Sequence, residues 1–195
     1  MIETNLRKRY QRICIDPLLR IKGLQKVHPI VLTCSALFLG ICILPTLALG
    51  FPLFAIVLLI FSGFIDTLDG SLARFYGKTS ERGAALDILS DRIVEFAIIL
   101  ALYSVDPTTR ALPIIFMLGT ILVCITSFLI VGIFTTNTTE KSFCYSPGII
   151  ERAEAFIFFA AMILFPTLFF FLSYLFSLLV FITALVRMVQ FMKQT

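Results

Sequence analysis

The chain has 195 residues, of which 59% are hydrophobic and 14% are charged, and its formal net charge is +4 at pH 7. This composition excludes a soluble globular protein and indicates an integral membrane protein with the length of one domain. The five cysteines are scattered through apolar surroundings, which predicts small buried side chains rather than a disulfide framework. We expect no nucleic-acid partner.

Residues 1–27 form the first predicted element, a cytoplasmic interfacial segment with seven basic and two acidic side chains. Leu6, Tyr10 and Ile13 recur at helical spacing, which predicts a short juxtamembrane amphipathic helix against anionic head groups. The alternative is a basic flank that only anchors the first membrane span. Pro17 is expected to end this first helix.

Six apolar stretches follow, and each is close to the ~20 residues that a helix needs to cross a bilayer. They are predicted at about 29–49, 53–75, 83–104, 111–134, 147–167 and 169–191. The connections between them are short. We therefore expect an all-α integral membrane protein, with residues 28–195 forming one domain of six transmembrane helices.

The basic residues predict the orientation of these helices. If the N-terminus is cytoplasmic, all of the 16 basic residues except Arg110 lie on the cytoplasmic side. This bias satisfies the positive-inside rule, so we expect a multi-pass protein whose active site faces the cytoplasm. The membrane expected for it is the inner or cell membrane of a bacterium or archaeon. Asp66 follows about a dozen apolar residues of the second span, so we expect it in the cytoplasmic half of the bilayer.

The stretch from Asp66 to Asp91 concentrates acids within apolar sequence, where carboxylates are costly without a functional reason. Small and charged residues on one face of the second predicted helix are Asp66, Asp69, Gly70, Ala73 and Arg74. Steps of four residues place Gly83, Asp87 and Asp91 along one face of the third. Two helices thus direct four carboxylates at a shared space, beside small residues that let a ligand approach the backbone.

Such a group of carboxylates indicates a site for a hard divalent cation next to a phosphate-bearing substrate. Bound Mg²⁺ or Mn²⁺ would supply the missing counter-charge, and the oxygen-only donors argue against zinc, copper or nickel. A pair of ions would neutralise a diphosphate, and Arg74 would add a permanent cation for phosphate oxygens.

The pattern D-x2-D-G-x2-A-R-x8-G-x3-D-x3-D resembles the signature of the CDP-alcohol phosphatidyltransferase family, and every specified position is filled. The resemblance implies transfer of a phosphatidyl group from CDP-diacylglycerol to a small alcohol, with release of CMP, by a homodimer in contact with membrane lipids. It implies Asp66, Asp69 and Asp87 as principal metal ligands. Asp91 would contact metal and also take the acceptor proton as the catalytic base.

The CDP-lipid would lie against Gly70, Ala73 and Gly83, with Arg74 on its phosphates. Ser80 is a candidate for a phosphate oxygen, although capping of the third span is an alternative.

The segment from Pro29 to Thr33 is similar to the Pro-Asn-x-x-Thr start common in the family, but Ile30 replaces the Asn. Thr33 remains a candidate contact of the CDP-lipid. Glu95 extends the acidic ladder by one turn, and we favour a structural partner of a buried donor over a role beside the metal. For His28 a surface or cap position is expected.

Arg152 and Arg187 are the candidate contacts of the acceptor, each with an interfacial or snorkelling alternative. Glycerol 3-phosphate is the favoured acceptor, while inositol phosphate, serine or another alcohol stay open. Residues 131–139 lack the Lys or Arg that relatives using inositol phosphate tend to show there, which weakens that acceptor.

Two other hypotheses come from different classes of protein. Intramembrane acids also mark ion pathways, so an intramembrane cation transporter is one alternative. The other residues of the motif argue against a transporter, because an ion pathway does not require them. They are Gly70, Ala73, Arg74 and Gly83. A catalytically inactive relative is the other alternative, and the presence of all four aspartates argues against it.

Overall fold

The computed structural model describes residues 11–19, 23–24, 27–134, 150 and 152–194, and within these ranges every regular element is helical. A π-helical turn Gln11–Ile15 is followed by α1 Asp16–Leu19, α2 Pro29–Ala48, α3 Pro52–Phe75, α4 Glu81–Val105, α5 Pro107–Phe134, α6 Arg152–Leu164, a 3₁₀ turn Pro166–Leu168 and α7 Phe169–Gln194. The prediction of an all-α protein is confirmed. The six helices from α2 to α7 overlap the six apolar stretches of the sequence.

Four of these helices have the length and hydropathy to cross a membrane: α2, α3, α5 and the segment Pro166–Lys193. The helix α4 carries Asp91, Arg92 and Glu95 near the middle of its length, and charged side chains are costly within a bilayer. The described part of α6 has 13 residues, and positions 147–149 and 151 of the fifth predicted span lie outside the described residues. The protein is therefore a multi-pass membrane protein, while six spans stay a prediction.

The chain divides into two compact units, one up to Val105 and one from Asp106 onward. In the first unit α2 packs along both α3 and α4. The Ser62 hydroxyl of α3 donates to the Ala36 carbonyl of α2 at 2.8 Å, which fixes this pair deep in the unit. The helix α2 is thus the common support of the two helices that carry the acids.

Glycines end α2 and α3 in the same way. Gly50 and Gly77 have positive φ angles of 82° and 63°, a backbone conformation that side chains with a β-carbon rarely adopt. After Gly77, the Lys78 amide donates to the Ala73 carbonyl at 2.8 Å, which closes the last turn of α3. The chain therefore leaves α3 after Phe75, the residue that follows Arg74, and starts α4 at Glu81.

The described part of the N-terminal segment packs on α3. Ile15 and Leu19 form a buried cluster with Leu68 and Leu72. The expectation that Pro17 ends the first helix is wrong, because Pro17 lies inside the first turn of α1, where its missing N–H is not required. Leu6 and Tyr10 lie outside the described residues, so the amphipathic helix stays a prediction.

In the second unit α7 packs along α5 and contacts α6. Arg110 of α5 is buried, and its guanidinium carbon lies 4.1 Å from the centroid of the Phe169 ring. This cation–π contact accommodates a charge within an apolar unit. Before α5, the Asp106 carboxylate accepts from the Thr108 hydroxyl at 2.8 Å and from the Thr109 amide at 3.3 Å, so it caps this helix.

Candidate active site

Three carboxylates from two helices converge in the first unit. Asp66 and Asp69 lie one turn apart on α3, and Asp87 lies on α4. One oxygen atom of each lies within 4.8 Å of the others. Asp69 is buried at 3% exposure, whereas Asp66 and Asp87 are half-buried. Like charges at this separation repel strongly in a poorly solvated site, so the group favours a bound cation.

Asp91, the fourth predicted acid, is outside this three-carboxylate group. It lies one turn beyond Asp87 on α4 and is half-buried. The i, i+4 spacing keeps it on the same face of α4 as Asp87, next to the group. The group of converging carboxylates thus consists of Asp66, Asp69 and Asp87, and Asp91 follows it on the same helix.

Asp69 has one carboxylate oxygen, Oδ2, that is buried without a hydrogen-bond donor. The Thr33 hydroxyl of α2 interacts with the Asp69 carboxylate and lies 3.2 Å from the Pro29 carbonyl oxygen. With one proton it donates to only one of them at a time. A buried carboxylate oxygen without a donor is costly, and a hard cation would satisfy it.

The guanidinium of Arg74 lies next to Gly70. A β-carbon on Gly70 would be 3.5 Å from Nη1 of Arg74, so the exposed guanidinium folds back over the glycine. The Nη2 atom donates to the Ser71 hydroxyl at 3.5 Å. A permanent cation therefore lies one turn beyond the Asp69 backbone, and Ala73 is half-buried beside it.

Ser80 caps α4. Its hydroxyl accepts from the Gly83 amide at 3.0 Å, so the capping alternative for Ser80 is observed. A β-carbon on Gly83 would lie 3.0 Å from that hydroxyl oxygen, which is tighter than normal contact. Glycine at this position thus keeps the cap close to the start of the helix that carries Asp87.

Arg152 and Arg187 lie in the second unit. The Arg152 guanidinium carbon is 5.4 Å from the Phe156 ring centroid, at the start of α6. The Nη1 atom of Arg187 donates to the Cys124 carbonyl at 3.0 Å and to the Ser127 hydroxyl at 3.2 Å. Arg187 therefore ties α7 to α5, a contact that the sequence did not predict.

Two further sequence hypotheses have structural answers. Glu95 forms an ion pair at 2.5 Å with Arg92, whose side chain is 36% exposed, so this structural partner is not the buried donor that we favoured. His28 is the N-cap of α2, as expected, because its Nδ1 atom accepts from the Ile30 amide at 3.4 Å.

Gln11 and Ser71 are residues near the site that the sequence reasoning missed. The Gln11 Nε2 atom donates to the Ser71 hydroxyl at 3.0 Å, and Ser71 is 2% exposed. Ser71 could have been found from the sequence, because it is a polar residue between the motif positions Gly70 and Ala73. The face of α3 on which it lies otherwise carries Leu68 and Leu72. No pattern in the sequence pointed to Gln11.

Comparison with known proteins shows the family of this chain. The CDP-alcohol phosphatidyltransferase family model matches residues 26–190. The chain is similar to the inner membrane protein YnjF of Escherichia coli, with 32% identity over 187 residues and 89% coverage of each chain. It is also similar to the phosphatidylinositol phosphate synthase of Corynebacterium glutamicum, with 26% identity over 155 residues, 75% of this chain and 67% of the relative. The protein belongs to the CDP-alcohol phosphatidyltransferase family, and is thus a membrane enzyme of phospholipid synthesis that uses a CDP-alcohol substrate.

Proposed function

We propose that the protein transfers the phosphatidyl group of CDP-diacylglycerol to a small phosphorylated alcohol in a divalent-metal-dependent reaction that releases CMP. The observation that carries this proposal is the convergence of Asp66, Asp69 and Asp87 within 4.8 Å. Because the chain belongs to a family of enzymes, family membership supports a catalytic role of this acidic group over a role in cation transport.

The donor set fits Mg²⁺ or Mn²⁺. All three converging atoms are carboxylate oxygens, the ligands that both ions prefer, and Oδ2 of Asp69 is buried without a hydrogen bond. Asp66, Asp69 and Asp87 would hold the metal, with Asp91 as a further ligand to a second ion. The metal ions would neutralise the diphosphate and stabilise the charge that develops during transfer.

The chain's own residues would bind the CDP-lipid around this group. Arg74 lies over Gly70 and is available to the diphosphate oxygens, since its guanidinium is exposed. Gly70, Ala73 and Gly83 would admit the nucleotide close to the helix backbones. Thr33 would act through the Asp69 carboxylate that it contacts, and Ser80 would offer its hydroxyl proton to a phosphate oxygen while it caps α4.

Asp91 is the proposed catalytic base. It would take the proton of the acceptor hydroxyl, whose oxygen then forms a bond to the β-phosphorus. The bond from that phosphorus to the bridging oxygen breaks, and CMP leaves with the electron pair. The position of Asp91 one turn beyond the converging acids supports a role different from theirs.

Glycerol 3-phosphate is the favoured acceptor, because positive charge on the cytoplasmic side suits a phosphorylated alcohol. Inositol phosphate is the second candidate, and the similarity to a phosphatidylinositol phosphate synthase supports it. Both acceptors carry a phosphate that Arg152 and Arg187 would bind. Serine has no phosphate for these cations to bind, although its carboxylate could pair with one of them.

The setting of the reaction is also proposed. The bias of basic residues supports an active site open to the cytoplasm of a bacterial cell, and both relatives are bacterial. The family match across residues 26–190 supports one catalytic membrane domain over residues 28–195, preceded by an interfacial segment over residues 1–27. We further propose that the enzyme works as a homodimer.

The test is release of CMP from radiolabelled CDP-diacylglycerol by the purified full-length protein with Mn²⁺. The acceptors compared are glycerol 3-phosphate, inositol phosphate and serine. We expect the fastest release with glycerol 3-phosphate, and none after removal of metal with EDTA. Asp106→Asn is the matched control, because this cap lies outside the acidic group and Asn also caps helices. No release with any acceptor would contradict the proposal.

A further inference from the structure

The N-terminal segment is fastened to the part of α3 that carries the family motif. Ile15 and Leu19 pack against Leu68 and Leu72, the residues that alternate with the motif positions. At the end of α3, the Tyr76 hydroxyl donates to the Leu19 carbonyl at 2.5 Å. Apolar burial and a hydrogen bond therefore hold this segment against the helix, and not only against the bilayer.

The Ser71 hydroxyl links this segment to the motif. It donates to the Thr67 carbonyl at 2.8 Å and accepts from Gln11 at 3.0 Å and from Arg74 at 3.5 Å. A serine hydroxyl has one proton and two lone pairs, so these three partners use its full capacity. Ser71 is 2% exposed, so water does not replace a missing partner easily.

Arg74 lies at the boundary between two faces of α3. At 3.6 residues per turn, position 74 projects between position 70 on the acidic face and position 71 on the face of the N-terminal segment. An exposed arginine has many rotamers, and fixing one costs entropy. The Ser71 hydroxyl holds Nη2 on one side, while Nη1 lies 3.5 Å from where a Gly70 β-carbon would be.

We propose that Gln11 and Ser71 are positioning residues that hold the Arg74 guanidinium over Gly70, oriented for the diphosphate of the CDP-lipid. The inference rests on the proposed function, in which Arg74 binds that diphosphate. Gln11 donates the hydrogen bond that orients the Ser71 hydroxyl, and Ser71 then orients Arg74. Preorganisation of this cation lowers the cost of binding the substrate.

The first experiment measures kcat and KM for CDP-diacylglycerol with full-length protein, saturating Mn²⁺ and saturating acceptor. Gln11→Leu and Ser71→Ala should each raise KM about three- to tenfold, the effect of losing a typical hydrogen bond, with a much smaller change in kcat. Ser71→Thr retains the hydroxyl, so its KM should stay close to the wild-type value. Ile13→Ala, at a 71% exposed position of the same segment, should leave KM within about twofold.

A double-mutant cycle then separates positioning from general stability. If Gln11 acts through Arg74, Gln11→Leu should have no further effect on the dissociation constant of CDP-diacylglycerol in an Arg74→Ala background. The inference would be overturned if Gln11→Leu weakened CDP-diacylglycerol binding equally in the wild-type and Arg74→Ala backgrounds. An unchanged KM in Gln11→Leu would overturn it as well. Should Ser71→Ala not fold, Gln11→Leu carries the test.

The two proposals fail in different ways. If Arg74→Ala leaves both KM and the dissociation constant unchanged, the diphosphate role of Arg74 is wrong, and the positioning inference falls with it. If Arg74→Ala weakens the substrate while Gln11→Leu does not, only the positioning inference is wrong.

Discussion

Gly40 of α2 and Val94 of α4 pack so closely that a β-carbon on Gly40 would lie 2.5 Å from Cγ2 of Val94. This contact sets how near α2 comes to the helix that carries Asp87, two turns before Val94. Because α2 also packs along α3, the Gly40 contact helps to fix the separation of the two acid-bearing helices.

Gly40→Ala should therefore destabilise the protein by about 1–3 kcal/mol, the usual cost of overpacking, and lower Tm in detergent. Val94→Ala in the same chain makes room for the new methyl group and should recover part of the loss. Gly119→Ala is the matched control, since a β-carbon there meets nothing within 4 Å. Its Tm should stay or rise, because alanine favours helix.

Asp69→Asn and Asp91→Asn should have different effects on metal binding. Asp69→Asn removes one of the three converging carboxylates that we propose as metal ligands, so we expect weaker Mn²⁺ binding by electron paramagnetic resonance and loss of CMP release. Asp91→Asn should abolish CMP release, while Asp66, Asp69 and Asp87 should retain affinity for the first Mn²⁺ ion that they are proposed to hold. Full activity of Asp91→Asn would remove its role as base and leave the metal site intact.

Ser80→Ala removes the hydroxyl that accepts from the Gly83 amide. Loss of a helix cap costs about 1 kcal/mol, so Tm should fall. KM for CDP-diacylglycerol should rise as well, because the same hydroxyl is proposed to bind a phosphate oxygen. Ser80→Thr keeps the hydroxyl and should retain the wild-type Tm and the wild-type KM for CDP-diacylglycerol. A fall in Tm with unchanged KM would reduce Ser80 to a cap.

The contribution of Asp106 to the stability of the folded protein should depend on pH in the acid range. Hydrogen bonds from the Thr109 and Thr108 side chains lower the pKa of Asp106 from 3.8 to about 2 in the folded protein. A lowered folded pKa stabilises the protein above pH 3.8, and this contribution is lost as the pH falls toward 2. The Tm difference between wild type and Asp106→Ala should therefore shrink across that window. A Tm difference that stays constant across this pH range would contradict a lowered pKa of Asp106.

Arg152 and Arg187 differ in their contacts and should differ as variants. Arg152→Ala should raise KM for the phosphorylated acceptor about tenfold, the scale of one charged hydrogen bond, with little change in Tm. Arg187→Ala should also lower Tm, because it breaks hydrogen bonds to Cys124 and Ser127. Ser127→Ala is the control that loosens the same contact but keeps the cation. An unchanged acceptor KM in Arg187→Ala would leave that residue a purely structural role.

Much of the architecture follows from local rules. Apolar runs of helical length predicted the positions of α2 to α7, because the bilayer sets how long such runs must be. The i, i+3 spacing of Asp66 and Asp69 placed them on one face for the same local reason. Ser80 as a cap and Glu95 as a structural partner were also within reach, since both interactions lie within one turn of helix.

The sequence by itself determined the family, the helical class and the acids, because motif spacing and apolar length are properties of neighbouring residues. Only the tertiary structure decided that three acids converge while Asp91 stays outside the group, and that Thr33 contacts Asp69. It also decided that Gln11 reaches Ser71, a contact across 60 positions. Such contacts depend on how helices pack in three dimensions, and no local periodicity encodes that packing.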